Sequence, residues 1–145
     1  MFFLEPIGKE NICHYEKYED LFEADLSQYQ SRIKPSSGAD YLCWYHIKSG
    51  EEYIGAIWLE RNSKDNFAVL GIFIADKEYR NRGIGTRAIE QIIETDLRNM
   101  CCNRVLLRVR TENGRAVACY KKVGFTETRR YSKNGLDVTE MILEI

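Results

Sequence analysis

Several things are scarce in this sequence, and each scarcity excludes something. The longest apolar run, Phe67 to Ala75, falls far short of the about 20 residues that a membrane-spanning helix needs. Only two prolines occur, with no low-complexity or linker-like stretch and no internal repeat. With two histidines, a histidine-rich metal site is not expected. The five cysteines (Cys13, Cys43, Cys101, Cys102, Cys119) are odd in number and show no CxxC spacing, which argues against a disulfide framework or a zinc site. Net charge is −1, so nothing demands nucleic acid as a partner. The start, "MFFLEPIGKE", lacks the basic region and long apolar core of a signal peptide. A cytoplasmic location, no membrane and no metal are the expectations.

What is present fits one domain over residues 1–145, with 44% apolar and 30% charged residues. Charge is unevenly spread: residues 1–60 carry 11 acidic and 5 basic side chains, net −6, and the remainder net +5. Such asymmetry hints at two ligands of opposite sign. Phe2–Ile7 reads as a short strand. Tyr15, Tyr18, Phe22, Leu26, Tyr29 and Ile33 recur at helical spacing. Tyr41–Lys48 and Glu51–Glu60 read as a hairpin across a Ser-Gly turn, and Phe67–Ala75 as a third strand. A helix follows through Ile84, Ala88 and Ile92, then a strand at Arg104–Arg110 and a helix at Asn113–Lys122 ended by Gly124. Strands Phe125–Tyr131 and Asp137–Ile145 flank an Asn-Gly turn. Both faces of the strands carry apolar residues, including Trp44 and Trp58, so the sheet is covered on both sides. The expected class is α/β (α+β), with a mixed, mostly antiparallel sheet of six to seven strands and helices on both faces.

One stretch asks for a ligand. Between a strand and a helix stands Arg80-Asn81-Arg82-Gly83-Ile84-Gly85-Thr86. Unpaired N–H groups at a helix start, the helix dipole and side-chain-free backbone together favour an anion, most often a phosphate. A P-loop needs GxxxxGK[ST], which does not occur. "GIGTRA" fits the spacing of a dinucleotide fingerprint, but it follows a run of antiparallel strands, and too little chain remains for the αβ units of such a site. The pattern Q/R-x-x-G-x-G/A fits, with Arg80, Arg82, Gly83, Ile84, Gly85 and Thr86 as candidates for holding a pyrophosphate.

A second motif stands downstream in "VRTENGRAVACYKKVGF": Val109, Asn113, Ala116, Tyr120, Gly124 and Phe125 in the spacing V-x3-N-x2-A-x3-Y-x3-G-F. The two motifs, in this order and strand context, resemble the GCN5-related N-acetyltransferase (GNAT) family from about Phe67 to the end. The final segment, "GFTETRRYSKNGLDVTEMILEI", is similar to the branch of spermidine and ribosomal-protein N-terminal acetyltransferases.

The resemblance implies the GNAT fold and acetyl transfer from acetyl-CoA to an amine that attacks the thioester directly. It implies a splayed parallel strand pair, Phe67–Ala75 and Arg104–Arg110, between which the pantetheine arm inserts. Gly71 would either form a bulge that drives the pair apart or serve as a small residue for packing. Phe73 and Ile74 would offer main-chain groups to the arm and an N–H to the oxyanion, and Asn113 would bind the arm or cap its helix. Lys121, Lys122 or Arg115 would meet the 3′-phosphate. Tyr120 would give a proton to the leaving thiolate. The family's strand glutamate is missing, since Arg108 stands in its place. Glu60 is the substitute base, with His46 and Glu112 behind it and ordered water as a further route. The acceptor expected from the charge split is basic: a polyamine, an aminoglycoside, or a peptide or protein N-terminus, with a homodimer left open. The rival reading is a CoA-binding sensor or partner domain that has lost catalysis.

Overall fold

In the computed structural model, residues 1–18, 20 and 34–145 are described. Seven strands form one sheet: β1 (Phe3–Pro6), β2 (Tyr41–Ser49), β3 (Glu52–Arg61), β4 (Ala68–Ile74), β5 (Arg104–Arg110), β6 (Thr126–Lys133) and β7 (Leu136–Glu144). Their order in space is β1-β2-β3-β4-β5-β7-β6. Every neighbouring pair is antiparallel except β4 and β5. Helices α1 (Ile84–Asp96) and α2 (Gly114–Val123) flank β5 in the chain. The expected mixed sheet is therefore found, with seven strands among the described residues. The β6–β7 turn holds Asn134 at φ 54° and Gly135 at φ 77°, the doubly left-handed turn that matches strand twist.

The two faces of the sheet have different covers. On one face α1 buries Ile84, Ala88, Ile89 and Ile92. These pack against Ile57, Leu59, Leu70, Val105 and Leu107, with Ala116, Val117 and Tyr120 of α2 joining the same cluster. On the other face Tyr15 and Tyr18 pack with Ala56, Trp58 and Phe73, and residues 15–18 are helical. Helical residues thus lie on both faces. The expected continuation through Phe22, Leu26, Tyr29 and Ile33 lies outside the described residues.

Two expectations change here. The bulge at Gly71 is absent, because the β3–β4 register runs unbroken through Trp58↔Gly71. Gly71 is instead the floor for an indole: a Cβ on it would stand 2.0 Å from Trp58 Cζ2. His46 is a core residue rather than a base, and it is fully buried. Its Nε2 lies 2.9 Å from the Asn11 carbonyl, which can only accept, so Nε2 carries the proton. Nδ1 then accepts from the Tyr18 hydroxyl at 2.8 Å. Burial holds the imidazole pKa below 6.5 and keeps the ring neutral.

Candidate active site

β4 and β5 pair only at Ala68↔Val105 and Val69↔Leu106. Beyond these residues the strands part, and a cleft of ≈ 1180 Å³ opens between them. Its walls include Leu70–Ile74 and Leu107–Arg110. Parting strands leave backbone groups in need of partners, which an inserted chain of amides can supply.

Backbone orientation decides which residues face the gap. The Ala75 N–H donates to the Ile54 carbonyl at 2.8 Å. N–H and C=O groups alternate sides along a strand, so Ala75, Phe73 and Gly71 turn to β3, and Ile74 and Ile72 turn to the gap. Of the expected arm-holding pair, Ile74 is therefore in position and Phe73 is not. The Phe73 carbonyl lies against Gly55, and its ring packs edge-on to Tyr18 with centroids 5.5 Å apart. Ile72 is the residue that the sequence reading missed. The Ile74 carbonyl accepts from Arg80 Nε at 3.0 Å, and the Ala75 carbonyl accepts from the same guanidinium at 3.3 Å. Arg80 thus braces the end of β4 while lining the cleft.

The helix start opens onto the same cleft. Gly83 caps α1 at φ 76°, a left-handed conformation, and no side chain caps the helix. The first intrahelical bond runs from Arg87 N–H to the Gly83 carbonyl at 3.1 Å, so the N–H groups of Ile84, Gly85 and Thr86 have no acceptor within the helix. A Cβ on Gly83 would meet nothing within 4 Å, and one on Gly85 would touch only Cys119 Sγ at 3.6 Å and Ile72 Cδ1 at 4.0 Å. Space, donors and dipole fit an anion. Two expected phosphate contacts are displaced. Arg82 is exposed, its guanidinium 5.4 Å from the Tyr79 ring centroid, and it is not in the cleft wall. Lys121 is exposed too and acts on Glu127, whose carboxyl it helps to hold low after the stronger Arg130 contact. Helical phase explains the swap: Arg115 and Lys122, seven residues apart, lie on the stripe facing the cleft, and Lys121 sits one step off it.

Tyr120 and Asn113 both line the cleft. The Tyr120 ring meets Phe125 edge-on at 6.2 Å, and burial pushes its phenol well above the ordinary value of 10. Asn113 Oδ1 accepts from the Ala116 N–H at 3.4 Å, so it does cap α2. Among the carboxylate candidates only Glu60 lines the cleft, beside Ser36. Glu60 is 5% exposed, and its Oε2 accepts from the Ser36 N–H at 2.6 Å. It stands opposite Val69, at the level where β4 and β5 part. Glu112 is an exposed partner of Arg110, at 3.0 Å.

Of the described acidic residues in the first half of the chain, only Glu60 lines the cleft. Asp40 accepts from the Ser63 N–H at 2.7 Å and Glu52 from the Tyr79 hydroxyl at 2.9 Å, and neither lines the cleft. Glu19, Glu23 and Asp25 lie outside the described residues. The walls also carry Arg108, Arg110, Arg129 and Lys133; the sequence reading named Arg108 only as standing in the place of the family's strand glutamate and did not single out the other three. The available signal was the alternation in "RVLLRVR", which sets Arg108 and Arg110 on one face of β5.

All five cysteines are free thiols. Among the described residues no cluster of three or more His, Cys, Asp or Glu could hold a metal, and no helix is long and apolar enough to cross a membrane.

Comparison with known proteins gives one family. The Acetyltransferase (GNAT) family matches residues 8–125. A mycothiol acetyltransferase of Corynebacterium efficiens is 32% identical over 85 residues, which is 57% of this chain and 27% of that protein. N-alpha-acetyltransferase 30 of Xenopus laevis is 26% identical over 155 aligned positions, covering 92% of this chain and 55% of that protein. The chain thus spans about half or less of these curated relatives. The solved structure of the RimL ribosomal L7/L12 alpha-N-protein acetyltransferase with coenzyme A shares the fold, at a TM-score of 0.81, 17% identity, and coverage of 99% and 94% of the two chains. The matched span contains the open helix start, the splayed strands and Tyr120, and the chain belongs to the acetyltransferase (GNAT) family.

Proposed function

We propose that residues 1–145 act as one acetyl-CoA-dependent N-acetyltransferase domain that acetylates a primary amine by direct attack on the thioester. The observation that carries this reading is the parting of β4 and β5 beside the uncapped, unobstructed start of α1. The N–H groups of Ile84, Gly85 and Thr86 take the pyrophosphate, and Arg115 and Lys122 the remaining phosphate. Backbone groups of Ile72 and Ile74 hold the pantetheine arm, and an N–H there stabilises the oxyanion.

The acceptor arrives as an ammonium with a pKa of about 10.4. Glu60 takes one proton, directly or through water, and the amine nitrogen attacks the carbonyl carbon. The C–S bond then breaks, and the thiolate takes a proton from the Tyr120 hydroxyl. Tyr120 holds its proton throughout the neutral range because burial raises its pKa. Tyr120 is restored by the second proton that the nitrogen sheds, so the products are an amide, CoA thiol and one proton. Release of CoA thiol against a panel of polyamines, aminoglycosides and peptides tests the reading. Acetyl-CoA binding without transfer to any amine would favour the sensor reading.

A further inference from the structure

We infer that the acceptor amine carries a carboxylate, which is held by Trp58, Arg108 and Arg110 on the face of the sheet away from α1 and α2. This rests on the transferase reading for its chemistry, but not for its binding site. Among the described residues three buried side-chain N or O atoms have no hydrogen-bond partner: Glu5 Oε2, Trp58 Nε1 and Arg110 Nε. Glu5 Oε2 has an ion pair, 3.3 Å from Lys48 Nζ. The other two are donors, and both belong to residues lining the one cleft. Trp58 is 1% exposed, and the Arg110 side chain 7%, so solvent does not satisfy them. Unpaired buried donors are rare and call for an explanation.

Strand register places these donors together. Trp58 pairs with Gly71 and Glu60 with Val69 on β4, and Val69 pairs with Leu106. Arg108 and Arg110 follow Leu106 at even steps, so all share one face. Arg108 and Arg110 pair in turn with Glu140 and Val138, and Glu140 with Arg129. There a single oxygen, Glu140 Oε2, serves two guanidiniums, Arg108 at 3.5 Å and Arg129 at 3.3 Å. One cation of that pair is in excess. The start of α1 lies on the opposite face, where Arg115 and Lys122 are available to phosphate, so these donors are not waiting for CoA. A planar anion that accepts from several N–H groups fits them, and guanidiniums recognise carboxylate best. The Glu60 carboxylate lies on the same face, on the side from which the ammonium would approach. The acceptor is then an amine with a carboxylate a few bonds away. It is either a free amino acid or a peptide whose first residues are acidic.

The test is calorimetric titration of the CoA-saturated protein, alongside thiol release. The probes are aspartate, glutamate, Asp-Ala amide, Asn-Ala amide and spermidine. Either Asp-Ala amide should bind roughly ten- to a hundredfold tighter than Asn-Ala amide, or aspartate that much tighter than Asp-Ala amide, as expected for hydrogen bonds to a charged group. In Arg108→Gln, at a half-exposed position, that preference should collapse. In Trp58→Phe it should weaken. Preference for aspartate over Asp-Ala amide identifies the α-carboxylate of a free amino acid as the group bound. Preference for Asp-Ala amide over Asn-Ala amide identifies an acidic peptide. Equal binding of Asp-Ala and Asn-Ala amides with no gain for the free acids, or tighter binding of spermidine, overturns the inference while leaving acetyl transfer intact. Carboxylate-dependent binding with no thiol release for any amine would sustain the site and overturn the transferase reading.

Discussion

Gly83 offers the sharpest separation of binding from folding. Two substitutions, Gly83→Asp and Gly83→Asn, share shape and backbone demand and differ by one charge. Gly83 sits at φ 76° with nothing within 4 Å of an added Cβ, so neither variant clashes with protein. Left-handed backbone costs a residue with a Cβ roughly 1–2 kcal/mol, least for Asn and Asp. Both are preferred N-cap residues, which returns a few tenths of a kcal/mol relative to glycine. Each should therefore lower Tm by about 2–8 °C at this chain length. Affinity is another matter. A carboxylate about 4 Å from a bound phosphate repels it by about 1 kcal/mol in water and about 4 kcal/mol at an effective dielectric of about 20. Acetyl-CoA should thus bind the Asp variant roughly fivefold to a thousandfold more weakly than the Asn variant, by calorimetry. The gap should narrow with added salt. Equal affinities for the two variants, both at the wild-type value, would refute the placement of the pyrophosphate at this helix start.

The remaining predictions concern the proton path and the fold. Tyr120→Phe should lower kcat by about 10²–10⁴-fold with little change in the acetyl-CoA KM; since burial raises the phenol above 10, the wild-type rate should show no downturn from this group below that pH. Glu60→Gln keeps an acceptor for the Ser36 N–H and should lower kcat/KM by about 10²-fold; an unchanged kcat/KM would assign the base to water. His46 binds its proton less readily in the folded than in the unfolded chain, so its stabilisation is complete above about 6.5 and is lost as pH falls below that value, with a slope of up to about 1.4 kcal/mol per unit. Urea unfolding of wild type and His46→Leu between pH 5 and 7.5 checks this, and equal slopes in the two proteins would remove His46 as the cause.

Much of the fold was legible because local rules and the global arrangement agree. The Asn-Gly turn, the period-two strands and the caps of α2 each appear within a residue or two of where spacing put them. What spacing cannot supply is register. Gly71 could be a bulge or a packing residue on sequence, and its neighbour across the ladder, Trp58, thirteen residues away in the chain, decides for packing. Phe73 and Ile72 could be told apart only by knowing which backbone groups β3 already holds. Lys121 and Lys122 differ only by helical phase against a cleft that the sequence does not display. The charge split says little about the walls for a similar reason. Summing charge over halves of a chain ignores that a strand turns alternate residues to opposite faces, and β5 puts Arg108 and Arg110 on the face that Glu60 shares.

The two faces also suit the proposed mechanism, in which Tyr120 is the acid and Glu60 the base about a single carbon. Tyr120 comes from α2 and packs into the cluster on the helix face. Glu60 pairs with Val69 on the strand face that Trp58 shares. A tetrahedral carbon gaining nitrogen and losing sulfur needs a proton acceptor near the nitrogen and a donor near the sulfur, on different sides. A continuous sheet would hold those two groups apart with a layer of backbone between them. The gap between β4 and β5 is where that layer is missing. A thioester lying in it is reachable from the acceptor face by the amine and from the helix face by the phenol. In the proposed mechanism both approaches are open at once, so attack and departure would proceed within one ternary complex and no covalent intermediate on the protein would be required.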